Sequence, residues 1–169
     1  MELLAFFEKW IWFGFAAVGF AILFNVPQRT LWLIFLMGAL GGALKVLTMS
    51  FGGSIILASF LGAMLVGFIS IVAAHSKHSP PFVFAIPAVI PMVPGAFAYR
   101  TMLGIIKLTS NVDNTVFVKL MEDTVSNGLK AGFVLMALAV GVSAPMLFTR
   151  RESAKELKVS LKIDELIKK

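Results

Sequence analysis

Ile86-Pro-Ala-Val-Ile-Pro-Met-Val-Pro-Gly-Ala-Phe-Ala-Tyr-Arg100 places Pro87, Pro91 and Pro94 within eight residues and follows the last of them with Gly95. A proline has no amide hydrogen to give a helix, and its ring clashes with the preceding turn. One proline would leave a kinked helix; three in succession with a glycine predict a break. The segment is apolar as far as Ala98, so the break falls inside an apolar run. Carbonyls freed in hydrocarbon are costly unless they are buried in protein or turned to a water-filled cavity. Secondary transporters use discontinuous helices of this kind near the bilayer midplane, where half-helix ends hold ions and anionic groups.

The rest of the chain has the composition of a membrane protein. Of its 169 residues 59% are apolar. At roughly 20 apolar residues per span, that inventory is consumed by about five transmembrane helices. Charged residues make up 14% of the chain, against around 25% in a soluble domain. They are also crowded at one end, with 11 of them between Arg150 and Lys169. These features exclude a soluble globular domain, a disordered chain and a fibrous repeat. With no cysteine, disulfides, thiolate metal sites and attached haem are excluded too. The expected fold class is an all-α membrane protein of about five transmembrane helices, one of them broken by prolines. A five-span domain covers residues 1–149, and a charged cytoplasmic tail covers 150–169.

The spans are expected at about 3–24, 31–49, 55–74, 82–106 and 128–148. Pro27 interrupts Asn25-Val-Pro-Gln-Arg29 after the first, because the residue before a proline avoids the helical region. Ser50-Phe-Gly-Gly-Ser54 turns after the second. His75-Ser-Lys-His-Ser-Pro-Pro81 is a polar connector, and 110–127 is a mixed connector holding Asp113, Lys119, Glu122 and Asp123. Met-Glu-Leu-Leu at the start has no basic region ahead of the apolar stretch, so the first helix is expected to be retained rather than cleaved. Arg29 and Lys77 fall in alternate connectors with the basic tail, which predicts an N-out, C-in orientation. The same placement explains the net charge of +6 as an orientation signal, so no nucleic-acid partner is expected. Small residues four apart permit close helix approach in lipid. They occur as Gly38/Gly42, Ala58/Gly62, Ala63/Gly67, Gly128/Gly132 and Ala137/Gly141, and suit contacts within the chain or with a partner.

If a helix restarts near Gly95, its N-terminal amides and Arg100 face one region that attracts a carboxylate. Pro91, Pro94, Gly95, Tyr99 and Arg100 are therefore candidate substrate-binding residues. Asn25 joins them as a lining residue of the cytoplasmic entrance beside Arg29. Snorkelling to the outer interface is an alternative role for Arg100, and the expected role for Lys45 and Lys107. No acidic residue lies inside spans two to five, and the histidines sit in a connector, so the chain lacks an obvious proton relay. It carries neither a zinc-protease His-Glu-x-x-His nor a hydrolase Gly-x-Ser-x-Gly motif. No catalytic residue, metal site or cofactor is expected.

Gly19-Phe-Ala-Ile-Leu-Phe-Asn-Val-Pro27 with Arg29, the Gly38–Gly42 cluster, and Ile90-Pro-Met-Val-Pro-Gly95 followed by Tyr99-Arg100 resemble the threonine/serine exporter (ThrE) family over about residues 10–149. The length is similar to that of the small subunit of its two-component members, one pair of which exports succinate. The resemblance implies a multi-pass subunit of the bacterial inner membrane. It would act with a larger ThrE-like partner, exporting small carboxylates or hydroxy amino acids: succinate, or threonine and serine. The partner would also be a place for the missing relay. A non-transporting scaffold or assembly component is the alternative, but it has no use for a backbone broken at three prolines.

Overall fold

The computed structural model describes the backbone of residues 3–77, 79–109 and 114–167, and side chains within 7–77, 79–109 and 116–149. Among these residues six α-helices form, and no strand: α1 (Leu3–Leu23), α2 (Leu31–Ser50), α3 (Ile55–Lys77), α4 (Pro81–Val89), α5 (Gly95–Leu108) and α6 (Asn114–Ile167). Short 3-10 turns at Gln28–Thr30 and Ile90–Met92 lead into α2 and out of α4. Three helical stretches, Gln28–Ser50, Ile55–Lys77 and Val116–Thr149, are long and apolar enough to cross a bilayer. The α4–α5 pair, bent by 58°, makes a fourth if it is counted as one span. The chain is an all-α membrane protein.

Local chemistry fixes where the helices stop. Asn25 has φ 55, the left-handed conformation that closes many helices. Its amide donates to the Ile22 carbonyl, and the Val26 amide to the Ala21 carbonyl, each at 3.0 Å, which satisfies the last carbonyls of α1. Gly52 does the same for α2 with φ 81: its amide donates to Met49 and that of Gly53 to Thr48. The Ser54 hydroxyl then accepts the Leu57 amide at 3.2 Å, capping the start of α3. Pro81 opens α4 in the first turn, where its missing amide costs nothing.

Two connectors differ from the sequence expectation. The stretch 110–127 is not all connector, because α6 is already helical from Asn114 and runs unbroken to Ile167. Its acidic and basic residues Lys119, Glu122 and Asp123 are exposed on that helix. Segment 75–81 is likewise shorter as a connector, with α3 continuing to Lys77 and the His75 ring bonding the Ile71 carbonyl at 2.8 Å. His78 and 110–113 lie outside the described residues.

α1 packs on α2, α2 on α3, α3 on α6 and α6 on α5, while α4 sits against α1, α2 and α3. The shared core brings Ala17, Ile34, Met37, Ala63, Val66, Phe84, Ala88, Met92, Val134 and Leu138 together. Small residues set the spacing, as van der Waals packing in lipid requires. A Cβ on Gly62 would stand 2.7 Å from the Gly41 carbonyl oxygen, and one on Gly141 2.7 Å from that of Phe60. Gly132, by contrast, has nothing within 4 Å. Gly62→Ala should therefore lower the melting temperature in detergent, the overpacked contact costing roughly 1–3 kcal/mol, whereas Gly132→Ala should leave it unchanged. Equal melting of the two variants would mean that α2 and α3 are not in backbone contact.

Candidate functional site

The break between α4 and α5 is built from the proline spacing. Ile90 would give its carbonyl to the amide of residue 94, which is a proline; it accepts the Val93 amide instead at 3.0 Å. Val93 is extended (φ -59, ψ 135) and Pro94 (φ -82, ψ 62) leads into α5. The helix does restart at Gly95, and the amides of Phe97 and Ala98 both bond the Pro94 carbonyl, at 3.1 and 3.2 Å.

The carbonyl of Met92 takes its donor from another helix. The Lys45 ammonium donates to it at 2.7 Å, and Lys45 is only 8% exposed. The expected snorkelling of Lys45 is thus corrected: the side chain turns into the bundle, not out to the interface. The cause is geometric. Lys45 stands one turn beyond Gly41 on the same face of α2, and the Met92 side chain fills the space over Gly41 and Gly62. A lysine on that face meets the broken segment before it meets water. The signal was present in the sequence, since Gly38, Gly41/Gly42 and Lys45 recur at the three- and four-residue spacing of one helical face.

The other candidates separate into different places. Arg100 lines a crevice of about 390 Å³ between α5 and α6, together with Leu103, Gly104, Lys107, Leu120, Asp123, Thr124 and Asn127. Gly104 lets Thr124 press against α5, while the Thr124 hydroxyl bonds the Leu120 carbonyl of its own helix at 2.6 Å. Lys107, which was expected to snorkel, stands on the same crevice. One wall offers a guanidinium and an ammonium, the other a carboxylate and an amide, a charge pattern that complements a zwitterion. Tyr99, the residue before Arg100, is 65% exposed. Asn25 lines a pocket of about 490 Å³ that runs from Phe24, Val26 and Pro27 to Phe82, Val83, Ile86 and Pro87. Pro94 is buried, Pro91 half-buried and Gly95 exposed with no atom near its missing side chain. The structure joins Arg100 to Lys107 and Asp123, joins Asn25 to the foot of α4, and adds Lys45 at the break itself.

The family model described as threonine/serine exporter, ThrE, matches residues 9–148. The chain belongs to this family of membrane transporters. No solved structure matches it.

The break also predicts a reactivity pattern. In a chain without native cysteine, Val93→Cys, at a position 41% exposed, should react with a water-borne thiol reagent. Met92→Cys, at a fully buried position, should not. Protection of both in intact and detergent-solubilised protein would mean that no aqueous cavity reaches the break.

Proposed function

We propose that this member of the threonine/serine exporter family is the smaller subunit of a two-component secondary exporter in the bacterial inner membrane. It moves small carboxylates or hydroxy amino acids out of the cell together with a larger ThrE-like subunit. One observation carries the reading: a proline-broken helix whose freed Met92 carbonyl is held by a buried ammonium. Irregular backbone at membrane depth is tolerated where it is buried in protein or lines a cavity, and transporters place their binding sites at such breaks.

With α1 counted as the first span and α4–α5 as one, five spans cross the membrane, N-out and C-in. Arg29, Lys77 and the basic residues from Arg150 then share the cytoplasmic end, as the positive-inside bias favours. Pro91, Pro94 and Gly95 shape the opening in the backbone. Arg100, Tyr99 and the facing Asp123 form an outer station for a carboxylate or zwitterion, and Asn25 borders the inner approach. A scaffold would gain nothing from a cation buried at a broken span.

The test is export from bacteria preloaded with threonine, serine or succinate. Co-expression of the chain with its larger subunit should raise the extracellular solute several-fold over cells carrying either chain alone. Export at full rate by this chain alone would remove the partner from the reading. Background export of all three solutes by the pair would remove the transport assignment.

A further inference from the structure

Trp10, Lys45 and Ser59 bring one hydrogen-bond donor each from α1, α2 and α3 to a single level of the bundle. The level follows from packing pairs. Phe13 lies against Gly42, and Gly41 meets Gly62. Trp10 is one turn nearer the start of α1 than Phe13, Lys45 one turn beyond Gly41, and Ser59 one turn nearer the start of α3 than Gly62. Because neighbouring helices run antiparallel, all three displacements lead toward the same end of the bundle, the end at which the α4 segment breaks.

What these groups share is an excess of protons. The Ser59 hydroxyl and the Trp10 indole nitrogen are both buried without a hydrogen-bond partner, and Ser59 is 0% exposed. A serine or threonine inside a helix ordinarily bonds a carbonyl one turn back. Ser70, Thr101 and Thr124 do so here at 2.6–2.8 Å, and Ser59 does not. Lys45 spends one of its three protons on the Met92 carbonyl, which is neutral and leaves the charge uncompensated. The acidic residues with described side chains, Glu8, Glu122 and Asp123, are all exposed. A buried ammonium with protons to spare, a hydroxyl and an indole N–H that bond neither one another nor a nearby carboxylate are the complement of an anion. A carboxylate presents about four lone-pair sites on two oxygens, enough for all three donors.

We propose that Trp10, Lys45 and Ser59 form a carboxylate-binding site at the α4–α5 break, separate from the Arg100 crevice. The solute's carboxylate accepts the two ammonium protons that Met92 leaves free, together with the hydroxyl and indole protons. The site rests on the transport reading of the broken span and names the group by which that span holds its solute.

Trp10 supplies the readout. The chain has three tryptophans, and the other two, Trp12 and Trp32, are 64% and 57% exposed. Trp12→Phe with Trp32→Phe therefore leaves Trp10 as the sole indole in the full chain, reconstituted in nanodiscs with and without the larger subunit. Threonine and succinate should each change its emission saturably, while threoninamide and chloride should not. Lys45→Met should weaken the response about 10–100-fold, as expected for loss of a charge-assisted bond. Ser59→Ala, which removes one atom and leaves the helix packed, should weaken it about 3–10-fold. Silence to every carboxylate, an equal response to chloride or threoninamide, or unchanged binding in both variants would overturn the site. Export measured in parallel separates the two readings. Carboxylate binding without export by the pair keeps the site and removes transport, whereas wild-type export by Lys45→Met keeps transport and removes the site.

Discussion

A peptide carbonyl surrounded by apolar material needs a proton donor, and a span with three prolines has three too few. The fold meets the last of these losses, at Ile90, within the segment, and meets the carbonyl freed where the helix stops, at Met92, from outside it. Within the segment, the chain tightens to a 3-10 turn, so that Ile90 accepts from Val93 instead of from Pro94. Across helices, Met92 accepts from Lys45. A neutral amide of similar reach would serve Met92 without taking a charge out of water. An unpaired buried acceptor costs about 1–3 kcal/mol, but the effective penalty for burying an ammonium is several kcal/mol. Stability alone therefore selects against lysine at this position, and the charge is the feature that needs a functional cause.

The same contact ties the broken helix to its frame. α2 and α3 approach closely at Gly41 and Gly62, where the Met92 side chain packs over both glycines beside Val66, which sets the carbonyl that Lys45 reaches. α4 is held by α1, α2 and α3, whereas α5 rests on α6. At the break, between Met92 and Gly95, the chain thus leaves its contacts with α1, α2 and α3 for a contact with α6, which itself packs on α3. Lys45 reaches the last carbonyl before the break, and Arg100 stands on α5 beyond it. Lys45 and Arg100 therefore stand on opposite sides of the 58° bend.

Composition and proline spacing carried the fold class and the broken span, because apolar length and missing amides are properties of the chain itself. Direction was harder to see. Lys45 lies five residues before a turn, and distance along the chain suggests an interface anchor. Only the face it occupies, shared with Gly38 and Gly41, points it inward. The early start of α6 was hidden for a related reason: Lys119, Glu122 and Asp123 resemble a connector when counted together, though as exposed positions on a helix they conflict with nothing. Asn25 before Val-Pro carries a backbone duty, the left-handed closure of α1, that residue type signals but spacing does not. Ser59 and Trp10 gave no sequence signal at all. A serine and a tryptophan in apolar helices are ordinary, and what distinguishes these two is the absence of an acceptor.

Charge accounting at Lys45 bears on which solute the membrane itself can drive. On the reading proposed above, the empty site carries one positive charge at membrane depth. A dicarboxylate such as succinate would convert it to a net negative site, while a zwitterion such as threonine would leave it positive. Moving one charge through a membrane potential is worth about 2.3 kcal/mol per 100 mV. With the cell interior negative, the empty cation is drawn inward and the dicarboxylate-loaded site is driven outward, so both halves of an export cycle run downhill. A zwitterion gains nothing from the second half and needs a further ion. The described part of the chain holds no buried acid to carry one. On that reading a lysine at the break favours a dicarboxylate over a zwitterion, and an amino-acid substrate would call for a titratable group outside the described side chains.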